Sequence, residues 1–162
     1  MNKKIIDHYN ESLRVFNEIH KDLNKVESIS KFLINKIKNN HKIFVYGNGG
    51  SFSDSSHFVG ELTATYKNKR RKPLPFILLG SNMASVTAWS NDFNFNDYIK
   101  REFSGYVDKG DVLFLLTTSG GNIRNKQSLN LIKLAKYCYK NKIHLISFLG
   151  NNGGELIKYS NK

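Results

Sequence analysis

Four short apolar runs constrain this chain more than any other feature: KIFVYG at 42–47, FILLG at 76–80, Val112–Leu116 and KIHLISFLG at 142–150. Each has four to six near-continuous apolar residues, with no polar alternation to mark a wet face. Such runs suit strands buried on both sides, as in a parallel sheet covered by helices. The intervening segments carry helical periodicity instead. Residues 5–20 place Ile5, Ile6, Tyr9, Leu13, Phe16 and Ile19 near a 3.6-residue repeat, and Val26 to Ile37 continues it with Ile29, Phe32 and Leu33. Asn24 and Glu27 have the spacing of a capping box. Further helices are expected from Ser51 toward Tyr66, over SNMASVTAWS behind a Ser81 or Asn82 cap, over FNFNDYIKREF, and over 125–140. KNKRRKPLP reads as a loop and ELIKYS as a last helical turn. The expected fold is therefore α/β: a three-layer sandwich around a parallel, flavodoxin-like sheet, with additional N-terminal helices.

A length of 162 residues and an apolar share of 40% fit one domain with its own core, 1–162. No apolar run approaches the length of a membrane span. Asp7, Asn10, Glu11 and Arg14 interrupt the place where an export signal would keep its apolar core, so a cytoplasmic location is expected. The one cysteine, Cys138, excludes an internal disulfide and suits a reducing compartment, as a small buried hydrophobe. The net charge of +12 favours anionic partners. Most lysines are scattered, however, and only KNKRRK at 67–72 is a cluster, so nucleic acid is not the expected partner.

In open α/β sheets ligands bind beyond the carboxyl ends of the strands. Here those ends read VYGNGGS, ILLGSN, LLTTSGGN and SFLGNNGG, all rich in Gly, Ser, Thr or Asn. GNGG is not a dinucleotide fingerprint, since Phe52 stands where the third glycine would be and the second strand ends without an acid. No P-loop pattern occurs. Thr117, Thr118 and Ser119 bring three hydroxyls to one strand end, followed by glycines and a helix start, which suits phosphate binding; Ser51 offers another hydroxyl from the first loop. His57 and Glu61 share one helix face at i and i+4. Three roles fit them: a histidine satisfied by its neighbour, half of a metal site, or a glutamate acting as general base. Asn91, Asp92 and the aromatics of NDFNFNDY form a polar-aromatic loop that suits either a polyol chain or a plain turn.

In combination, VYGNGGSFSDSSHFVGEL, SNMASVTAWSNDFNFNDYIKREF, GDVLFLLTTSGGN and HLISFLGNNGG resemble the sedoheptulose 7-phosphate isomerase (phosphoheptose isomerase) family of the sugar isomerase (SIS) domain superfamily, in order and over nearly the whole chain. That resemblance implies an aldose–ketose isomerase that converts sedoheptulose 7-phosphate to D-glycero-D-manno-heptose 7-phosphate through an enediolate, toward lipopolysaccharide or capsule heptose. It further implies a homo-oligomer, tetramer or dimer, with sites near subunit interfaces, and a zinc ion. By resemblance Glu61 is the base, and His57 and Glu61 are metal-associated. Asn48, Gly49, Gly50, Ser51, Asp92, Thr117, Thr118, Ser119 and Asn122 then hold the sugar phosphate. The family's STSGNS turn is TTSGGN here, with Gly121 and Asn122 in place of its Asn and final Ser, and Gly60 replaces a common acid. Its C-terminal strand and helix, with a glutamine and a histidine for the metal and the general acid, are missing from this chain, which implies a shortened domain. Loss of those groups leaves a sugar-phosphate-binding domain with a binding or assembly role as the alternative.

Overall fold

The computed structural model describes residues 2–162. The described residues form two compact units, one up to Ile34 and one from Asn35 to Lys162. The first carries α1 (Lys3–Ile19) and, after a single 3-10 turn at His20–Asp22, most of α2 (Leu23–Lys38). Helix α1 is capped by the Asn2 side chain, which accepts from the Lys4 amide. It buries none of its residues: Tyr9, Leu13, Phe16 and Ile19 all stay exposed. The expected cap at Asn24 is not observed. The chain turns directly from the 3-10 segment into α2 at Leu23, so Asn24 lies inside the helix and its side chain has no free helix start to cap.

The second unit is built on four parallel strands, β1 (Ile43–Gly47), β2 (Phe76–Leu78), β3 (Val112–Thr117) and β4 (His144–Leu149), in the order β2-β1-β3-β4. Side chains alternate across each strand, so every strand supplies two cores. Phe44, Tyr46, Leu113, Leu115 and Leu145 join the buried Tyr98, Ile99 and Phe103 of α5 (Phe95–Tyr106) and Leu131, Leu134, Ala135 and Cys138 of α6 (Leu129–Lys140). From the opposite face Phe114 stacks on Phe58 of α3 (Gly50–Thr63), with ring centroids 5.5 Å apart, and Phe76 meets the same ring edge-on at 5.7 Å. Helices thus cover both faces, and the expected three-layer α/β arrangement is observed. Cys138 is fully buried; burial pushes its thiol up to about 12, which leaves it an inert core residue.

Two helix boundaries differ from expectation. Asn91 and Asp92 are the last residues of α4 (Met83–Asp92), not loop residues, and only Phe93 and Asn94 separate α4 from α5. Helix α6 starts at Leu129 rather than 125. Lys126 and Ser128 both adopt positive φ, and Asn122 bridges Gln127, so a tight loop occupies the first turn of the expected helix.

Candidate functional site

Strand order reverses between β1 and β3: the chain leaves β1 toward one side and β3 toward the other. The crevice at such a reversal is where an open α/β sheet binds ligands. Two helices begin there. Helix α3 starts behind Gly49 and α6 behind Ser128, and neither N-cap residue places a side chain on its helix's first amides. Those amides and the positive dipole ends favour an anion. Gly47 lets α3 return so tightly: a Cβ there would lie 2.7 Å from Leu116 O of β3 and 2.7 Å from Ser51 C.

The two helix starts are joined by a polar cluster in which Tyr46 and Asn130 are buried and Asn48 and Ser128 half-buried. Asn48 and Asn130 pair through both halves of their carboxamides, Asn48 Nδ2 donating to Asn130 Oδ1 at 2.9 Å and Asn130 Nδ2 donating to Asn48 Oδ1 at 2.8 Å. Tyr46 OH donates to Asn48 Oδ1 at 3.1 Å and accepts from Asn130 Nδ2 at 3.3 Å. Asn48 Nδ2 also reaches Ser128 Oγ at 3.4 Å. Burial pushes the Tyr46 phenol up to about 12, so it stays a donor at neutral pH. Ser128 and Asn130 escape a reading by sequence, because they sit 80 and 82 residues from Asn48 and no motif links them.

The β3 turn is fixed by its own hydroxyls. Thr117 Oγ1 accepts from Gly120 N at 3.3 Å, and Ser119 Oγ accepts from Gly121 N at 3.2 Å. Each hydroxyl keeps its proton to donate elsewhere. Backbone bonds lock this turn to the one after β4: Gly150 N donates to Thr117 O, Glu155 N to Gly121 O and Leu156 N to Gly120 O.

The residues expected in one site are divided by the β3 turn. On the β1 side, Asn48 and Gly49 line a largely apolar cleft of about 460 Å³ with Tyr46, Phe52 and Met83. On the β4 side, Ser119 and Asn122 line a polar cleft of about 670 Å³ with Arg124, Gln127 and Asn152. Gly50 and Ser51 lie in the first turn of α3, where the Ser51 amide donates to Asn48 O and Ser51 O accepts from the buried Ser55 hydroxyl. Thr118 is exposed at the turn. Asp92, at the exposed end of α4, accepts from Asn91 Nδ2 at 3.0 Å and lines neither cleft.

His57 and Glu61 do meet, as the spacing implies, with Nε2 and Oε1 3.4 Å apart. Both are open to solvent, the side chains 80% and 42% exposed, and they too lie outside the two clefts. The carbonyl of Glu61 is held by Arg71, whose guanidinium donates to Glu61 O at 2.8 Å, Leu62 O at 2.7 Å and Ala64 O at 3.0 Å. One cation of the basic cluster therefore closes the C-terminus of α3, where carbonyls lack helical partners. A zinc ion needs at least three protein ligands. Among the described residues no group of three or more His, Cys, Asp or Glu can hold a metal, so His57 and Glu61 do not fit zinc by themselves. Nor is any helix among them long and apolar enough to cross a membrane.

The SIS domain model matches residues 7–150. A probable phosphoheptose isomerase of Thermoplasma acidophilum is 36% identical over 135 residues, 83% of this chain and 70% of that protein. The phosphoheptose isomerase of Campylobacter concisus is 34% identical over 88% of this chain and 72% of its own length. Among solved structures, a phosphoheptose isomerase from Francisella tularensis superposes with a TM-score of 0.89 at 25% identity, covering all of this chain and 83% of that one. A second, from Neisseria gonorrhoeae, gives 0.83 at 26%, covering 99% and 80%.

Proposed function

Since the chain belongs to the phosphoheptose isomerase family of SIS-domain proteins, we propose that it is an aldose–ketose isomerase acting on a phosphorylated seven-carbon sugar, sedoheptulose 7-phosphate. The observation that carries this reading is the meeting of two uncapped helix starts, α3 and α6, at the strand-order reversal, joined through Asn48, Ser128 and Asn130. That crevice suits the phosphate, with Ser51 and Thr117 as hydroxyl donors and the Gly49–Gly50 amides beside them, while Ser119 would serve it from the β4 side of the turn. Asn122 and Thr118 stand at the rim of the same turn. Asp92 would approach the sugar from the end of α4.

Glu61 is the proposed base. It takes a proton from C-1 of the ketose, and the electrons form a C-1–C-2 double bond and move onto the C-2 oxygen to give an enediolate; the proton returns at C-2 while the O-1 proton passes to O-2, leaving the C-1 aldehyde and C-2 hydroxyl of the aldose. The half-exposed position of Glu61 on α3 supports a site completed at a boundary between subunits of a homo-oligomer, where a neighbouring surface removes water from the carboxylate. No step is assigned to zinc. Product formed in deuterium oxide tests the mechanism: one deuteron at C-2 is expected, and Glu61→Gln lowers the rate by about 10² to 10⁴. Product without deuterium excludes a base that exchanges its proton with solvent, and undiminished turnover in Glu61→Gln excludes Glu61 as the base.

A catalytically impaired sugar-phosphate-binding domain is the second reading, favoured by the two-membered His57–Glu61 set. It keeps the phosphate crevice and loses turnover.

A further inference from the structure

Asn130 is 1% exposed and sits in α6 between the apolar Leu129 and the buried Leu131 and Ile132. A carboxamide buried in such surroundings costs free energy unless its groups are satisfied, and an aliphatic residue packs there without that cost. Its partner is equally informative. A carboxamide has two donor and two acceptor positions. Asn48 has filled all four, donating to Asn130 and Ser128 and accepting from Asn130 and Tyr46. The Asn48 carboxamide therefore has nothing left to offer a ligand without breaking this set. Ser128 Oγ, by contrast, accepts from Asn48 and keeps its own proton, at the N-cap position just before α6.

We propose that Asn130 is a positioning residue of the anion site: its reciprocal pair with Asn48 fixes the orientation of that carboxamide, which in turn holds the Ser128 hydroxyl toward a bound phosphate. Asn130 itself touches no ligand. Asn48 is thereby the side-chain hub between β1 and α6. The chain of contacts runs from Asn130 to Asn48 to Ser128, so removing either asparagine releases the same hydroxyl. This inference rests on the phosphate reading of the crevice, but not on turnover.

The test is a double-mutant cycle in the full chain, reading the affinity for inorganic phosphate together with KM and kcat on sedoheptulose 7-phosphate. Asn130→Ala is expected to weaken phosphate binding and raise KM by about tenfold while kcat stays within about threefold. Asn48→Ala is expected to do the same, and the double substitution to cost no more than either alone. Losses that multiply in the double variant, or unchanged phosphate affinity in a folded Asn130→Ala, overturn the proposal. Where Asn130→Ala fails to unfold cooperatively, Asn130→Leu keeps the buried volume and gives the same reading. A wild-type chain that binds phosphate without isomerising the sugar defeats the isomerase reading and leaves the cycle intact. One that binds no phosphate overturns both.

Discussion

Gly120 and Gly60 show how differently two glycines constrain the same molecule. Gly120 stands at φ +63 with the backbone of Gly153 packed against its α-carbon, so any side chain both strains φ and separates the β3 turn from the β4 turn. Gly120→Ala is expected to destabilise the fold by at least about 3 kcal/mol in urea unfolding. Gly60 lies inside α3 with open space where its Cβ would be. Gly60→Ala should therefore stabilise by about 1 kcal/mol, by helix propensity alone. The sequence made Gly60 visible as an absent acid, and made the 120–121 pair visible as a flexible turn. It did not disclose that Gly120 is needed for backbone contact with a turn more than thirty residues away in sequence. Nor did it disclose Asn130, whose polar side chain reads as an ordinary helix residue until the fold sets it opposite Asn48.

Among the elements, α5 and α6 carry the most distinct electrostatic link. Lys133 of α6 donates to Asp97 Oδ1 at 2.8 Å, and Asn94, at the start of α5, donates to Asp97 Oδ2 at 2.7 Å. The Lys133 bond first, and the Asn94 bond second, hold the Asp97 carboxyl below its ordinary value. A carboxyl lowered on folding stabilises above its unfolded pKa, and that stabilisation is lost as pH falls through the folded one. Asp97→Asn should therefore cost most at neutral pH, and the difference from wild type should shrink toward zero in acid; urea unfolding across the carboxylate range checks this. The strands were legible to within a residue or two, because burial on both faces leaves an unbroken apolar run. The start of α6 was not. NIRNKQS carries no hydrophobic period to separate helix from loop, and the positive φ of Lys126 and Ser128 is not written in residue types that demand it. Asn24 failed for a related reason: a cap needs a break before the helix, and here the preceding turn flows into α2.

At the scale of the whole molecule, topology does what no motif does alone. The order β2-β1-β3-β4 sets two helix starts side by side, bridged by Asn48, Ser128 and Asn130. The strand ends were readable as the place where the clefts open, but the division of the expected site residues between two clefts was not, since that depends on which side of β3 each turn residue faces. Glu61, half exposed and paired with His57, lies outside both clefts. The measurement that tests the account most directly is conversion of sedoheptulose 7-phosphate by the 162-residue chain, followed by NMR beside Glu61→Gln, with and without added zinc. Aldose product is expected from the wild type, with a loss of about 10² or more in the variant. Sugar phosphate that binds and is never converted would contradict it and leave a domain that grips the phosphate without the chemistry.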